Sequence, residues 1–249
     1  MLPPNLNPMK EIEINQQKEK KIEIKDNSKR AKILLTVFGV LIVLNSVGLL
    51  IGYNEMQILK KAQIGEYVSE EAENLSELLQ GIIGLVQFGL YISSVVVFLN
   101  WFRRAYGNLH RADITYINHR ETMAVWAWFI PIVSFYRPVQ MMNEIWTETQ
   151  ETIKNFDTTY VTKKGGIIIG LWWALFIISN FIGWYVFQTI KKQDTIEQMI
   201  KSSEANLISD FIQIPEACLV IFIVHKLSKM EYKLADEVKK SGGNIIYEK

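Results

Sequence analysis

The chain has 249 residues, 49% of them hydrophobic, and its 27 basic and 26 acidic side chains nearly cancel. A chain this close to neutral has no general electrostatic attraction to nucleic acid, so we expect no nucleic-acid partner. Its one cysteine, Cys218, excludes an intramolecular disulfide and a metal site built from several thiolates.

Residues 1–31 are polar, with mixed charge, and contain too little apolar surface to bury a face. We expect a partly disordered tail, without the features of a cleaved signal peptide, ahead of an uncleaved first span. Alternation of isoleucine with polar or charged residues leaves a short strand as the alternative. The alternating residues are Ile12, Ile14, Ile22 and Ile24.

Three stretches are apolar enough to cross a membrane. Residues 33–53, 82–102 and 167–187 each contain 21 residues without a charged side chain, and a transmembrane helix needs about 20. A fourth stretch, about 207–225, is less apolar but is expected to span as well, because its many apolar residues would otherwise lie on a surface. The sequence therefore predicts an all-α integral membrane protein, a four-helix bundle.

The distribution of basic residues predicts the orientation of the spans. With four spans and both termini inside, 22 basic residues lie inside and 5 outside, and 54–80 forms an acidic outer loop. If 123–142 were a fifth full span, the division would be 15 to 12. The positive-inside rule favours four spans in a bacterial inner membrane, with the membrane domain over 32–235 and a cytoplasmic tail over 236–249.

Residues 122–136 are predicted to enter the membrane from the cytoplasmic side and return. Fifteen residues are short for a span, and Pro131 interrupts an unbroken helix. Trp126, Trp128 and Tyr136 are residue types that favour the membrane interface. Irregular backbone at that depth needs protein or water around it, so we expect this re-entrant segment to pack against the bundle.

An amphipathic helix is predicted over 138–156, since apolar residues recur at helical spacing and proline lies in its first turn. The stripe comprises Val139, Met142, Trp146, Thr149, Ile153 and Phe156. Glutamates on the other face make attachment to anionic lipid by charge improbable, so the stripe or neighbouring protein holds this helix. The expected counter-charges for Glu144 and Glu148 are four arginines: Arg103, Arg104, Arg111 and Arg120.

Five sequence blocks resemble the signature of a bacterial membrane family. They are DNSKRAK (26–32), WFRRAYGNL (101–109), WAWFIP (126–131), YRP (136–138) and EIW (144–146). The resemblance covers roughly 26–235 and is to a family of Bacteroidetes-type bacteria catalogued as a domain of unknown function. It implies a four-span inner-membrane protein and does not imply an activity.

Two groups of residues are candidate ligand sites. Arginines at the cytoplasmic interface could clamp a lipid phosphate, and the nearby tryptophans could line an acyl-chain pocket. The alternative is that they only anchor the span ends and form an aromatic belt. The ligand or lipid-binding candidates are Arg103, Arg104, Trp126, Trp128, Pro131, Arg137 and Trp146.

Polar residues within the spans form the second group: Glu216, Gln213, Asn45, Gln87 and Asn180. A carboxylate in the membrane is costly and often functional, so Glu216 could serve a proton or cation. It could instead be a protonated residue joining helices. A helix starting at Pro215 would place it in a first turn, as a third alternative.

A metal site from His110, Asp113 and His119 is conceivable, but it lacks a recognisable ligand spacing, and we expect no metal, no cofactor and no catalytic residues. The sequence favours a non-enzymatic scaffold or a module that binds lipid or a partner through the re-entrant surface. The partners expected are membrane lipid and, as alternatives, another protein or a second copy. A small transporter or channel using Glu216 is the alternative function.

Overall fold

The structure of the chain is a computed structural model. It describes residues 22–112, 114, 117–191 and 193–247. Most of the predicted N-terminal tail lies outside this part of the chain, as does Asp113 of the conceivable metal site.

Four long helices form the bundle: α1 (Ser28–Gln63), α2 (Glu70–Arg111), α5 (Gly166–Ile190) and α6 (Ile196–Lys240). All four are long and apolar enough to cross a membrane, which confirms the predicted all-α membrane fold. At most 22% of the most apolar window of each helix is buried inside the protein. The remaining apolar surface is therefore available to lipid.

The helices extend beyond the predicted spans. α1 contains 36 residues and α2 contains 42, whereas about 20 cross the hydrocarbon. The predicted outer loop over 54–80 is thus mostly helical, with a short connection between Gln63 and Glu70. A side-chain cap starts α2, because Ser69 accepts a hydrogen bond from the backbone of Ala72.

α6 is one continuous helix of 45 residues with Pro215 inside it. The alternative that a helix begins at Pro215 is therefore wrong. Proline removes one backbone hydrogen bond, which membrane helices tolerate where neighbouring helices support them. α6 has such neighbours, because it packs against α1, α4 and α5, while α1 also packs against α2.

Both ends of the described chain meet at one end of the bundle, here called the terminal end. Strand β1 (Glu23–Lys25) pairs in parallel with β2 (Asn244–Ile246). Ile24 is only 3% exposed. Of the alternatives predicted for Ile24, the short strand is therefore the one that the structure contains.

Asn108 on α2 fixes the position of β1. Its side-chain amide donates to the backbone oxygen of Lys25 at 2.8 Å and accepts from the backbone nitrogen at 3.1 Å. This pair imitates the bonding of a neighbouring strand. Asn27 adds a buried link, donating to the backbone of Trp101 and to the carboxylate of Glu231 on α6.

Residues 122–136, for which a re-entrant path is predicted and which we call the re-entrant segment, leave and rejoin the bundle at the terminal end. It contains the short helix α3 (Met123–Trp126) and a 3-10 turn (Val133–Phe135). Ile132 between them has a φ of 68°, a positive value that a β-branched residue rarely adopts. The segment is therefore irregular over most of its length, and its depth in lipid stays a prediction.

Helix α4 (Arg137–Phe156) follows directly, with Pro138 in its first turn. Its buried face is wider than the predicted stripe, and it packs against α2, α5 and α6. The buried residues are Pro138, Met141, Met142, Ile145, Trp146, Thr149, Gln150, Thr152 and Ile153. Four residues of the predicted stripe, Met142, Trp146, Thr149 and Ile153, lie on this buried face.

Candidate functional site

Trp128 of the re-entrant segment lies between α2 and α5. Its ring centroid is 5.4 Å from Phe98 and 5.8 Å from Phe102 on α2. On α5 the centroids of Trp173 and Phe176 lie at 5.9 and 5.6 Å. All four contacts are edge-to-face, the arrangement that aromatic quadrupoles favour. Trp128 therefore joins two helices rather than lining an open pocket.

The outer side of the same segment is apolar and exposed. Trp126 and Phe129 are each 61% exposed, although both are large apolar side chains. We name this surface the apolar rim; it comprises Trp126, Phe129, Ile130, Pro131, Ile132 and Phe135. The backbone behind it is supported, since Trp173 donates to the carbonyl oxygen of Phe135 at 3.0 Å. Pro131, predicted as a ligand residue, is exposed within this rim.

A basic pocket of about 260 Å³ opens beside the start of the re-entrant segment. Five of its seven lining side chains are cationic and one is a carboxylate, so positive charge is in excess. The lining residues are Lys25, Arg30, Asn100, Arg103, Arg104, Arg111 and Glu121. Such a pocket can accept an anion, because guanidinium groups bind phosphate through paired hydrogen bonds.

Glu121 organises two of these arginines. Its carboxylate oxygens lie 3.7 Å from Nε of Arg103 and 3.3 Å from Nη2 of Arg111. Nη1 of Arg111 is buried and has no hydrogen-bond partner among the described residues. Gly107 makes the approach possible, because a Cβ there would lie 2.7 Å from that nitrogen and 2.8 Å from the carboxyl carbon of Glu121.

A separate polar cleft of about 640 Å³ lies along α4 and contains Arg137. Nη1 of Arg137 lies 2.9 Å from Nε2 of His119. Glu144 accepts hydrogen bonds from Tyr106 at 2.6 Å and from Asn118 at 2.9 Å. The expected pairing of Glu144 with the arginines is thus wrong, because nearer hydroxyl and amide donors occupy its carboxylate.

Burial and these contacts shift the pKa values of the groups around the cleft. Burial is the main cause of the raised pKa of Tyr106, and the bond to Glu144 adds to it. Burial also lowers the pKa of His119; Glu144 opposes this effect and the Arg137 charge reinforces it. A neutral imidazole can accept the hydrogen bond from Arg137. The pKa of Glu148 is raised by burial and by the neighbouring carboxylates Glu144 and Glu151.

Trp146 takes no part in either pocket. Its indole nitrogen donates to the backbone oxygen of Lys163 at 2.7 Å, and its ring packs directly over Gly165. The predicted ligand residues therefore divide between four places. Arg103 and Arg104 line the basic pocket, Trp126 and Pro131 belong to the rim, Arg137 lies in the cleft, and Trp128 and Trp146 are packing residues.

The predicted polar residues within the spans also divide. Asn45, Gln87 and Gln213 come together, but the carboxylate among them belongs to Asp210. Glu216 instead accepts a hydrogen bond from Ser179 on α5, and Asn180 donates to the backbone of Phe176. Sequence analysis missed Asp210 as a site residue. Helical spacing could not have identified it, since residue 213 lies three positions from both 210 and 216.

A family model for a domain of unknown function, DUF4328, matches residues 65–229. This range contains α2 to α5, most of α6 and five of the seven residues lining the basic pocket. No curated protein and no solved structure matches the chain. Because the family model covers well over half of the chain, the protein belongs to the DUF4328 family.

Proposed function

We propose that this protein is a non-enzymatic module of the bacterial inner membrane that binds the phosphate of an anionic phospholipid. The basic pocket receives the headgroup, while the apolar rim inserts beside it among the acyl chains. The observation that carries the proposal is their adjacency: Glu121, which lines the pocket, immediately precedes the segment 122–136 that bears the rim.

The expected depth of the pocket supports this assignment. Arg103 and Arg104 directly follow the apolar stretch 82–102, and Asn100 lies within its last turn. Side chains at that level reach the zone of lipid phosphates, and long basic side chains extend toward it. Nη1 of Arg111, which lacks a partner within the described part of the chain, is a further donor for a phosphate oxygen.

The orientation follows from the excess of basic residues at the terminal end, which we place in the cytoplasm. Anionic lipids at a membrane surface attract basic groups that lie close to it. The acidic face of α4 is unsuited to binding anionic lipid, since Glu144, Glu148 and Glu151 repel anionic headgroups. Binding is therefore assigned to the pocket and the rim, and not to α4.

Transport at Glu216, the alternative from the sequence, has less support. Its carboxylate accepts a hydrogen bond from Ser179 and lies apart from the amide cluster around Asn45. This arrangement fits a residue that joins α5 and α6.

The proposal is tested by the thermal stability of the purified protein in a neutral detergent with added ligand, because a bound ligand stabilises the folded state. Phosphatidylglycerol should raise the unfolding temperature, and phosphatidylcholine and inorganic phosphate should not. The double variant Arg103→Gln/Arg111→Gln should lose most of the response. Arg120→Gln removes an exposed arginine outside the pocket and should keep it.

Three results would contradict lipid binding at this pocket. Equal stabilisation by phosphatidylcholine would mean that the headgroup charge is not recognised. Equal stabilisation by inorganic phosphate would mean that the pocket takes a free anion. Loss of the response in Arg120→Gln to the same degree would mean that general surface charge, and not the pocket, attracts the lipid. If the double variant does not fold, Arg103→Gln alone gives the same comparison.

A further inference from the structure

Asp210 on α6 projects into the contact between α1 and α2. Nε2 of Gln87 donates to its Oδ1 at 2.9 Å. Its other oxygen, Oδ2, lies directly over Gly48 of α1, where a Cβ would collide with it. The carboxylate therefore fits at this contact because residue 48 is a glycine.

A chain of hydrogen-bonded amide side chains extends from this carboxylate. The same Gln87 nitrogen lies 3.2 Å from Oδ1 of Asn45, and Asn45 donates to Oε1 of Gln213 at 3.4 Å. Gln213 donates onward to Ser209 at 2.8 Å. Asn45 is only 2% exposed. The chain links three helices through groups that carry no charge.

The position of the cluster makes a fixed negative charge unfavourable. With a rise of about 1.5 Å per residue, Asn45 lies about 12 Å from the nearer end of the apolar stretch 33–53, and Gln87 lies about 8 Å from the nearer end of 82–102. In the described part of the chain, Asp210 forms no ion pair with a basic side chain. An isolated carboxylate at this depth is strongly disfavoured in its charged form.

We propose that Asp210 is a proton-binding site in the half of the membrane remote from the terminal end. A proton from the aqueous medium adds to a carboxylate oxygen and neutralises it, and its release restores the carboxylate that Gln87 stabilises. A metal cation fits less well, because Gln87 presents an N–H group, not an oxygen, to the carboxylate. This site is independent of the lipid pocket.

Glu216 supplies a matched control on the same helix. It lies within the same apolar stretch of α6 but faces Ser179 of α5 instead of α1 and α2. Infrared spectra of the protein in lipid nanodiscs should contain a protonated-carboxyl band that weakens as the pH is raised. Asp210→Asn should remove a component of this pH-dependent band that Glu216→Gln retains.

The proposal is overturned if the titrating band of Asp210→Asn is as strong as that of the wild type, or if the wild-type band does not change with pH. Should Asp210→Asn fail to fold, labelling of the wild-type protein with dicyclohexylcarbodiimide decides the question, since this apolar reagent modifies protonated carboxyl groups. Mass spectrometry should find Asp210 modified to a degree that falls as the pH rises. Absent or pH-independent modification of Asp210 contradicts the proposal.

Discussion

The phenol of Tyr106 on α2 donates a 2.6 Å hydrogen bond to the carboxylate of Glu144 on α4. The bond connects the helix that follows the re-entrant segment to a helix of the bundle. Tyr106 is fully buried, so the bond is shielded from water, and hydrogen bonds to charged groups are the stronger kind.

Tyr106→Phe is expected to lower the free energy of unfolding by about 1–2 kcal/mol, because Glu144 loses its shortest donor. The loss is limited, since Asn118 still donates to Glu144. Thermal unfolding in detergent measures the change. Tyr232→Phe is the control, because Tyr232 is 79% exposed, and an equal effect there would contradict the prediction.

Trp128→Ala should destabilise the protein by about 3 kcal/mol, the scale for removing a large packed aromatic side chain. It deletes the ring that contacts both α2 and α5. Trp126→Ala is a matched variant two residues away, on the exposed rim. It should leave stability in detergent nearly unchanged while reducing stabilisation by phosphatidylglycerol. The prediction is wrong if the two variants have the same effect on stability.

Gly107→Ala should weaken the lipid response, because the added Cβ would displace Arg111 and Glu121 from their present positions. Gly89→Ala, also on α2, adds a Cβ that meets nothing within 4 Å. That control should be neutral or stabilising by up to about 1 kcal/mol, as alanine favours a helix over glycine. The shift in unfolding temperature with phosphatidylglycerol distinguishes them, and an unchanged shift in Gly107→Ala would refute the role of this contact.

Lys233 on α6 is expected to stabilise the folded protein to a degree that depends on pH. Its ammonium lies 2.8 Å from Asp157 at the end of α4, and this hydrogen bond is the main reason why the pKa of Asp157 falls to about 2. Since the unfolded value is near 3.8, the stabilisation is complete above that pH and is lost as the pH falls toward 2.

Lys233→Gln should therefore reduce stability at neutral pH, and its stability should fall less steeply than that of the wild type between about pH 4 and 2. Urea titrations at several pH values measure both effects. Lys201→Gln is the control, because it breaks an exposed pair with Glu197 within one helix. Parallel pH curves for wild type and Lys233→Gln would show that the pair does not stabilise the fold.

The spans and their number were predictable because each is a local run of apolar residues. Pairings between distant segments were not. Ile24 has the alternation of a strand, but its partner strand Asn244–Ile246 is short and distant in sequence. Glu121 lies beside arginines, whereas Glu144 accepts hydrogen bonds from a tyrosine and an asparagine. This difference depends on how the chain folds between α2 and α3. Sequence analysis could likewise place carboxylates within α6 but could not determine which faced the amides of α1 and α2.

The pairing of β1 with β2 has a consequence for synthesis. Glu23 lies opposite Asn244, so during synthesis β1 has no partner strand until residues 244–246 have left the ribosome. A prematurely terminated product would leave Ile24 uncovered and β1 without its neighbour. Closure of this small sheet thus follows the synthesis of all four long helices, and loss of Asn244–Ile246 would open it again.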